Sequence, residues 1–329
     1  MPSEVQGSNT AAARPRVAVV IPCYREVDRV AAVISGIGEG VARIIVVDDA
    51  CPDNTGDHVR AQCADPRVEV IVHERNTGVG GATLTGYRRA LETGADIVVK
   101  LDGDGQMDPV LIPALIEPIA EGEADYAKGN RFHQLDHITQ MPALRIAGNL
   151  VLSFACKLSS GYWNIFDPTN GFTAIHAKVA ERLPFEKISK GYFFESDMLF
   201  RLNLLRAVVA DVPMHARYGD ERSGLKISRT LFEFTAKHWI NTAKRILYSY
   251  FLRDFNAASV ELLLGMVLFL FGVVFGALKW YESSTSGVLT TAGTVFIAAL
   301  PIILGSQMLI AFLDFDTRNI PAAPIHRRL

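Results

Sequence analysis

The chain has 329 residues, 49% of them apolar and 21% charged, and carries a formal charge of −2 at pH 7. Length and composition exclude a disordered or fibrous chain and provide for one large ordered domain with a smaller appendage. So even a charge balance gives no general basic field, which argues against nucleic acid as a partner and leaves any anionic ligand to a local cluster.

The opening segment, residues 1–15, has no apolar h-region, so it reads as a mobile tail and not as a secretory signal. From residue 16 to about 213, short β-rich runs (RVAVVIP, ARIIVVDD, RVEVIV, DIVVKLD, DYAKGNR) alternate with helix-forming stretches. That rhythm predicts βαβ units and an α/β fold with a mostly parallel sheet, whose strands are buried on both faces. Cys23, Cys51, Cys63 and Cys156 form no C-x-x-C pair and lie in or beside core-like runs, as expected of reduced thiols.

Parallel sheets bind ligands at the C-terminal ends of their strands. Polar chemistry stands at those ends: Pro22-Cys23-Tyr24-Arg25-Glu26 after the first strand, Asp48-Asp49 after the second, Asp102-Gly103-Asp104 after the fourth. One crevice is expected to collect all three. An Asp-x-Asp at a strand end offers two hard oxygen ligands suited to Mg²⁺ or Mn²⁺ bridging a diphosphate, although a plain acidic turn has the same pattern. Asp53-Asn54-Thr55 reads as a helix N-cap or a nucleoside-binding loop. In Gly78-Val79-Gly80-Gly81-Ala82-Thr83 the third glycine of a dinucleotide fingerprint is replaced by Thr83, so these glycines are expected to permit close packing at a helix start. No P-loop is present. His133 and His137 lack an acidic partner at zinc spacing and read as a polar loop. Asp167-Pro168-Thr169-Asn170-Gly171 fits a turn, while Glu195 and Asp197 open a helix, as dipole partners or as ligands.

Arg217, Arg222, Lys226 and Arg229 form a basic segment before residues 229–255, where Phe232, Trp239, Ala243, Ile246 and Tyr250 share one helical face. An interfacial helix is expected there, or one packed on the globular domain, the two not being exclusive. Within residues 256–313, Leu262 to Leu278 and Val288 to Leu313 are free of charge, and at 1.5 Å per residue each covers most or all of a ~30 Å hydrocarbon layer. Two transmembrane helices are predicted, which Gly272-x-x-x-Gly276 would let approach closely; a buried hairpin of a soluble domain is the alternative. Basic residues flank both outer ends (Lys237, Lys244, Arg245 and Arg253; Arg318, Arg327 and Arg328), so the soluble domain and the tail, residues 314–329, are expected on the cytoplasmic side of the plasma (inner) membrane.

Seven segments carry a resemblance. VAVVIPCYREVDRV, VVDDACPDNTGD, ERNTGVGGATLTGYRRA, KLDGDGQMDP, KGNRF, DPTNGF and FFESDMLFRL occur in the order seen in family 2 glycosyltransferases with the GT-A fold. The chain is most similar to the polyprenyl-phosphate hexosyltransferases, of the dolichol-phosphate mannosyltransferase and bactoprenol glucosyltransferase type. The resemblance covers residues 16–228 and, with the two spans, the layout of the bacterial branch. It implies inverting transfer of one hexose from a nucleotide sugar, UDP-glucose or GDP-mannose in type, to a polyprenyl phosphate in the membrane. Pro22, Tyr24, Glu26 and Asp49 would hold nucleobase and ribose. Asp102 and Asp104 would flank Mg²⁺ or Mn²⁺, with Gln106 nearby. Asp167 would sit near the reacting sugar, and Glu195 would help bind sugar or acceptor. The family's basic segment contacts the lipid phosphate, a role implied for Arg217, Arg222 and Lys226; their spacing departs from the usual Arg-x-x-Gly-x-Ser-Lys. A processive polysaccharide synthase shares the core, but no Gln-x-x-Arg-Trp is present and two spans are few for a polymer channel. A catalytically silent, membrane-anchored sugar-nucleotide-binding protein would keep the fold and is separated by turnover. Sugar, nucleotide, prenyl length and homo-oligomerisation stay open.

Overall fold

The structure, a computed structural model, describes residues 14–131, 143–214 and 227–329. The five predicted strands form as β1 Val17–Cys23, β2 Val41–Asp48, β3 Val68–Val72, β4 Ile97–Lys100 and β5 Tyr126–Asn130, joined by β6 Thr173–His176 and β7 Val209–Pro213. Helices α1 Val27–Ser35, α2 Thr55–Gln62, α3 Val79–Glu92, α4 Ile112–Ala120, α5 Ala143–Ser160, α6 Ala177–Ala180 and α7 Phe194–Leu205 intervene. The seven strands are ordered β3-β2-β1-β4-β6-β5-β7. All neighbours run parallel except β6, which is antiparallel to both β4 and β5. The mostly parallel sheet is therefore as expected, and the inverted strand is not foreshadowed by its four-residue sequence.

Chain order reverses between β1 and β4, the kind of switch point where helices diverge and leave a crevice. Register brings the chemistry there. Cys23 pairs with Asp48, so β1 and β2 end level, and Lys100 pairs with Val20, so Asp102 leaves the sheet beside the end of β1. Alternate β1 and β2 side chains feed two cores: Val20, Ile45 and Val47 meet Leu84 and Tyr87 of α3 and Leu202 of α7, while Val19, Ile21 and Val46 meet Ile34 of α1 and Leu115 of α4. Each such buried side chain contributes about 1.5–3 kcal/mol of transfer free energy, which fixes the strand ends as a rigid platform.

Beyond the sheet lie α8 Ile227–Ile246, a π-helical stretch Leu247–Arg253, α9 Ala257–Ser286 and α10 Ala292–Arg318. The last two are long and apolar enough to cross a membrane, and only 17% and 11% of their most apolar windows are buried, unlike core helices of a soluble protein. They approach closely at glycines: a Cβ on Gly272 would stand 2.7 Å from the Ala298 carbonyl oxygen, whereas Gly276 is looser. The hairpin outlasts its expected end at residue 313, because the acids that follow are partnered. Asp314 pairs with Arg318, and Asp316 is buried against Arg245.

Helix α8 buries its polar side. His238, Asn241, Thr242 and Arg245 face inward, while Trp239 and Ala243 of the expected apolar face are exposed, Ile246 is half-buried and Tyr250 is buried; the Phe232 side chain lies outside the described residues. Asp316 accepts from Arg245 Nη1 (2.6 Å) and Nη2 (3.0 Å), Tyr250 Oη (2.6 Å) and Trp163 Nε1 (3.0 Å), and Arg245 also donates to the Leu158 carbonyl (2.8 Å). One buried ion pair thus ties α5, α8 and the end of α10 together. The last residues are docked as well. The Ile325 and His326 N–H groups donate to the buried Asp125 carboxylate, whose Oδ1 lies 2.7 Å from His326 Nδ1, and His326 stacks on His176 at 4.2 Å.

Candidate active site

A cleft of about 620 Å³ opens at the switch point. It is lined by Pro22 at the end of β1, by Tyr24 and Glu26 after it, by Asp49 after β2, and by Asp102 and Asp104 after β4. Six of the residues expected at the site therefore share one cavity. Asn76, Gly78 and Val79 close one side, and Gly191 and Tyr192 another. Tyr24 and Tyr192 are both exposed at the rim and present aromatic surface for stacking.

Glu26, Asp102 and Asp104 make the cleft acidic. Burial, then the charge of Asp104, pushes the Glu26 carboxyl above the usual range. Asp104 is pushed up by burial and by Asp102, against a 3.0 Å hydrogen bond from the Gln106 N–H. Among the described residues no three His, Cys, Asp or Glu side chains form a closed metal cage. Two strand-end carboxylates lining one cleft nevertheless fit Mg²⁺ or Mn²⁺, which take one or two protein carboxylates and fill their remaining positions with water and substrate phosphate.

Asp49, which lines the cleft, also holds the loop beside it. Its Oδ1 accepts from His73 Nδ1 (2.8 Å), the Thr77 N–H (2.8 Å) and Thr77 Oγ1 (2.9 Å), and its Oδ2 from the Gly78 N–H (2.7 Å). It shapes the loop that walls the cleft. Asp48 does similar work for α2, accepting from the Cys51 and Gly56 N–H groups at 2.7 and 2.6 Å; Asn54, at φ 51°, makes no side-chain cap. The glycines before α3 serve close packing as expected: Gly78 has φ +86°, and a Cβ there would lie 2.6 Å from the Lys190 carbonyl oxygen.

Asp167 and Glu195 do not line the cleft. Asp167 has no exposed side-chain surface and pairs bidentately with Arg131, at 2.7 and 3.1 Å. Glu195 lies below the cleft floor, 3.2 Å from Lys100 Nζ. Asp197 is structural, accepting from the Ser189 N–H, Arg201 and Asn241. Arg217, Arg222 and Lys226, like His133 and His137, lie outside the described residues. Two lysines escaped notice: Lys100 in β4 and Lys128 in β5, both fully buried. Their signal is a cation inside a strand that is buried on both faces. Burial disfavours charge on each. At Lys100 the carboxylates of Asp102 and Glu195 outweigh it and hold the ammonium above the ordinary lysine range, whereas Lys128 is lowered to about 8.

The family described as Glycosyl transferase family 2 matches residues 18–183. The chain is 33% identical over 203 residues to the undecaprenyl-phosphate mannosyltransferase of Micrococcus luteus, covering 60% of this chain and 82% of that protein. It is 31% identical over 214 residues to the UDP-N-acetylglucosamine–dolichyl-phosphate N-acetylglucosaminyltransferase of Methanococcus voltae, covering 61% and 85%. Among solved structures, glucosyl-3-phosphoglycerate synthase from Mycobacterium tuberculosis superposes with a TM-score of 0.53 at 20% identity, over 70% of this chain and 79% of that one, a likeness of fold.

Proposed function

The chain belongs to glycosyl transferase family 2 and is a glycosyltransferase with the GT-A fold, and from that premise we propose that it transfers one hexose, with inversion, from a nucleotide sugar to a polyprenyl phosphate at the cytoplasmic face of a membrane spanned by α9 and α10. The convergence of Glu26, Asp49, Asp102 and Asp104 in one cleft, on a domain fastened to an apolar hairpin, carries this assignment. The two relatives named above both act on polyprenyl-type phosphates by name but differ in sugar, so the acceptor class is better supported than the donor.

Tyr24 and Asn76, which both line the cleft, are proposed to bracket the nucleobase, and Asp49 to keep the 73–78 loop in shape for it. Mg²⁺ or Mn²⁺ held by Asp102 and Asp104 would supply charge neutralisation of the departing nucleoside diphosphate. A lipid phosphate is already anionic, so attack on the anomeric carbon needs positioning more than a strong base. Asp167 suits that division of labour: paired with Arg131, it orients a cation instead of taking a proton. Arg217, Arg222 and Lys226 are proposed to receive the lipid phosphate, for which a guanidinium offers bidentate contact.

The test incubates membranes containing the protein with a panel of radiolabelled sugar nucleotides and a polyprenyl phosphate, followed by identification of the labelled lipid. One sugar nucleotide should label the lipid, and Asp104→Ala should lower that rate at least ~100-fold while the protein stays folded and inserted. No labelling with any donor, or full activity of Asp104→Ala after removal of divalent metal, rejects the assignment.

A further inference from the structure

Lys100 is a charged residue in an otherwise apolar strand and is 1% exposed. Its ammonium donates to Asp102 Oδ1 (2.7 Å), Glu195 Oε1 (3.2 Å) and the Gly171 carbonyl oxygen (3.3 Å). An ammonium has three protons, and here each is spent on a different segment: the acidic turn after β4, the loop before β6 and the first turn of α7. The space for it is set by Gly171, where a Cβ would stand 2.6 Å from Lys100 Nζ and 2.5 Å from Asp102 Oδ2. No described residue donates to Asp102 Oδ2, and the Asp102 side chain is 26% exposed on the cleft.

Resting on the donor-site reading above, we propose that Lys100 is the positioning residue of the cation site. It fixes Asp102 through Oδ1 from beneath, leaving Oδ2 as the oxygen for a divalent ion, and Glu195 is the strut that keeps the ammonium in place. Glu195 then has a role without touching sugar or acceptor.

Coulomb's law alone gives the opposite sign, because removing a buried positive charge beside a cation site should tighten cation binding. This makes the sign of the effect decisive. The experiment titrates full-length protein in detergent micelles with Mn²⁺ alone, following free Mn²⁺ by electron paramagnetic resonance, for wild type, Lys100→Met and Lys100→Gln. Both substitutions remove the ammonium; Gln keeps an amide N–H, but its shorter side chain cannot span Asp102, Gly171 and Glu195 together. Both variants should bind Mn²⁺ at least tenfold more weakly, with the circular dichroism spectrum of wild type and a cooperative melting transition at lower temperature. Binding unchanged or tightened in folded Lys100→Met overturns the proposal. If Lys100→Met does not fold, Lys100→Gln decides by the same criterion, and loss of folded structure in both also overturns it, since Lys100 would then be holding the fold. Lack of Mn²⁺ binding by wild type rejects the metal-dependent donor site itself, and this inference with it; unchanged binding in the variants alone leaves the proposed function standing.

Discussion

Asp104 and Glu26 sit where water is scarce and negative charge is crowded, and both carboxyls are raised by burial first. A raised carboxyl keeps its proton to higher pH, and that proton must leave before a cation can bind. Mn²⁺ affinity should therefore fall on acidification starting above the pH at which an isolated aspartate would protonate, which binding titrations across pH check. The glycine preceding the α3 bundle contact gives a stability test. A Cβ on Gly80 would lie 2.6 Å from the Ser189 carbonyl oxygen, so Gly80→Ala should cost about 1–3 kcal/mol, read as a lower melting temperature. The acidic residues of the cleft were legible because strand ends expose their charges to pattern reading. Lys100 was not, since it sits inside a run that reads as continuous apolar strand. The spending of Asp49 on His73, Thr77 and Gly78 depends on β2 and β3 ending side by side, a juxtaposition that spacing does not show.

Helix α8 shows why a periodic pattern locates a face without saying what covers it. Its apolar positions were visible, yet Trp239 and Ala243 point outward while His238, Asn241 and Arg245 point into protein. The polar side is affordable because each group finds a partner: Ser159 for His238, Asp197 for Asn241, Asp316 for Arg245. An outward apolar stripe beside a hairpin is what a helix resting on a bilayer requires. The short strand β6 was missed for a related reason, since its direction is imposed by β4 and β5 on either side. Arg245→Met would strand Asp316 in the interior, and breaking such a pair from one side costs about 3–5 kcal/mol. The expected result is a markedly lower unfolding midpoint in detergent, with much of the loss recovered in Arg245→Met/Asp316→Asn.

At the scale of the molecule, the sequence divided the chain into soluble and apolar parts, but it showed nothing of how they are fastened. The expected tail is in fact a docked segment: Arg327 Nη2 donates to the Glu121 carbonyl oxygen at 3.0 Å, and Arg206 Nη1 donates to that of Asn319 at 2.9 Å. His176, stacked on His326, is lowered from 6.5 to about 4 by burial first and then by the His326 charge. With its folded value depressed, the native state binds fewer protons than the unfolded one across that interval. The His176 contribution is thus fully present above pH 6.5 and is lost as pH falls from 6.5 towards 4. Release of the C-terminus to protease should rise over that range in wild type and respond less to pH in His176→Asn. Asp125 receives three of its hydrogen bonds from Ile325 and His326, residues that leave the ribosome only after both apolar helices have been made. The catalytic domain cannot finish its own interior during synthesis until the hairpin has emerged, so a nascent chain halted before residue 325 should leave the buried Asp125 carboxylate just before β5 short of partners, however complete its cleft.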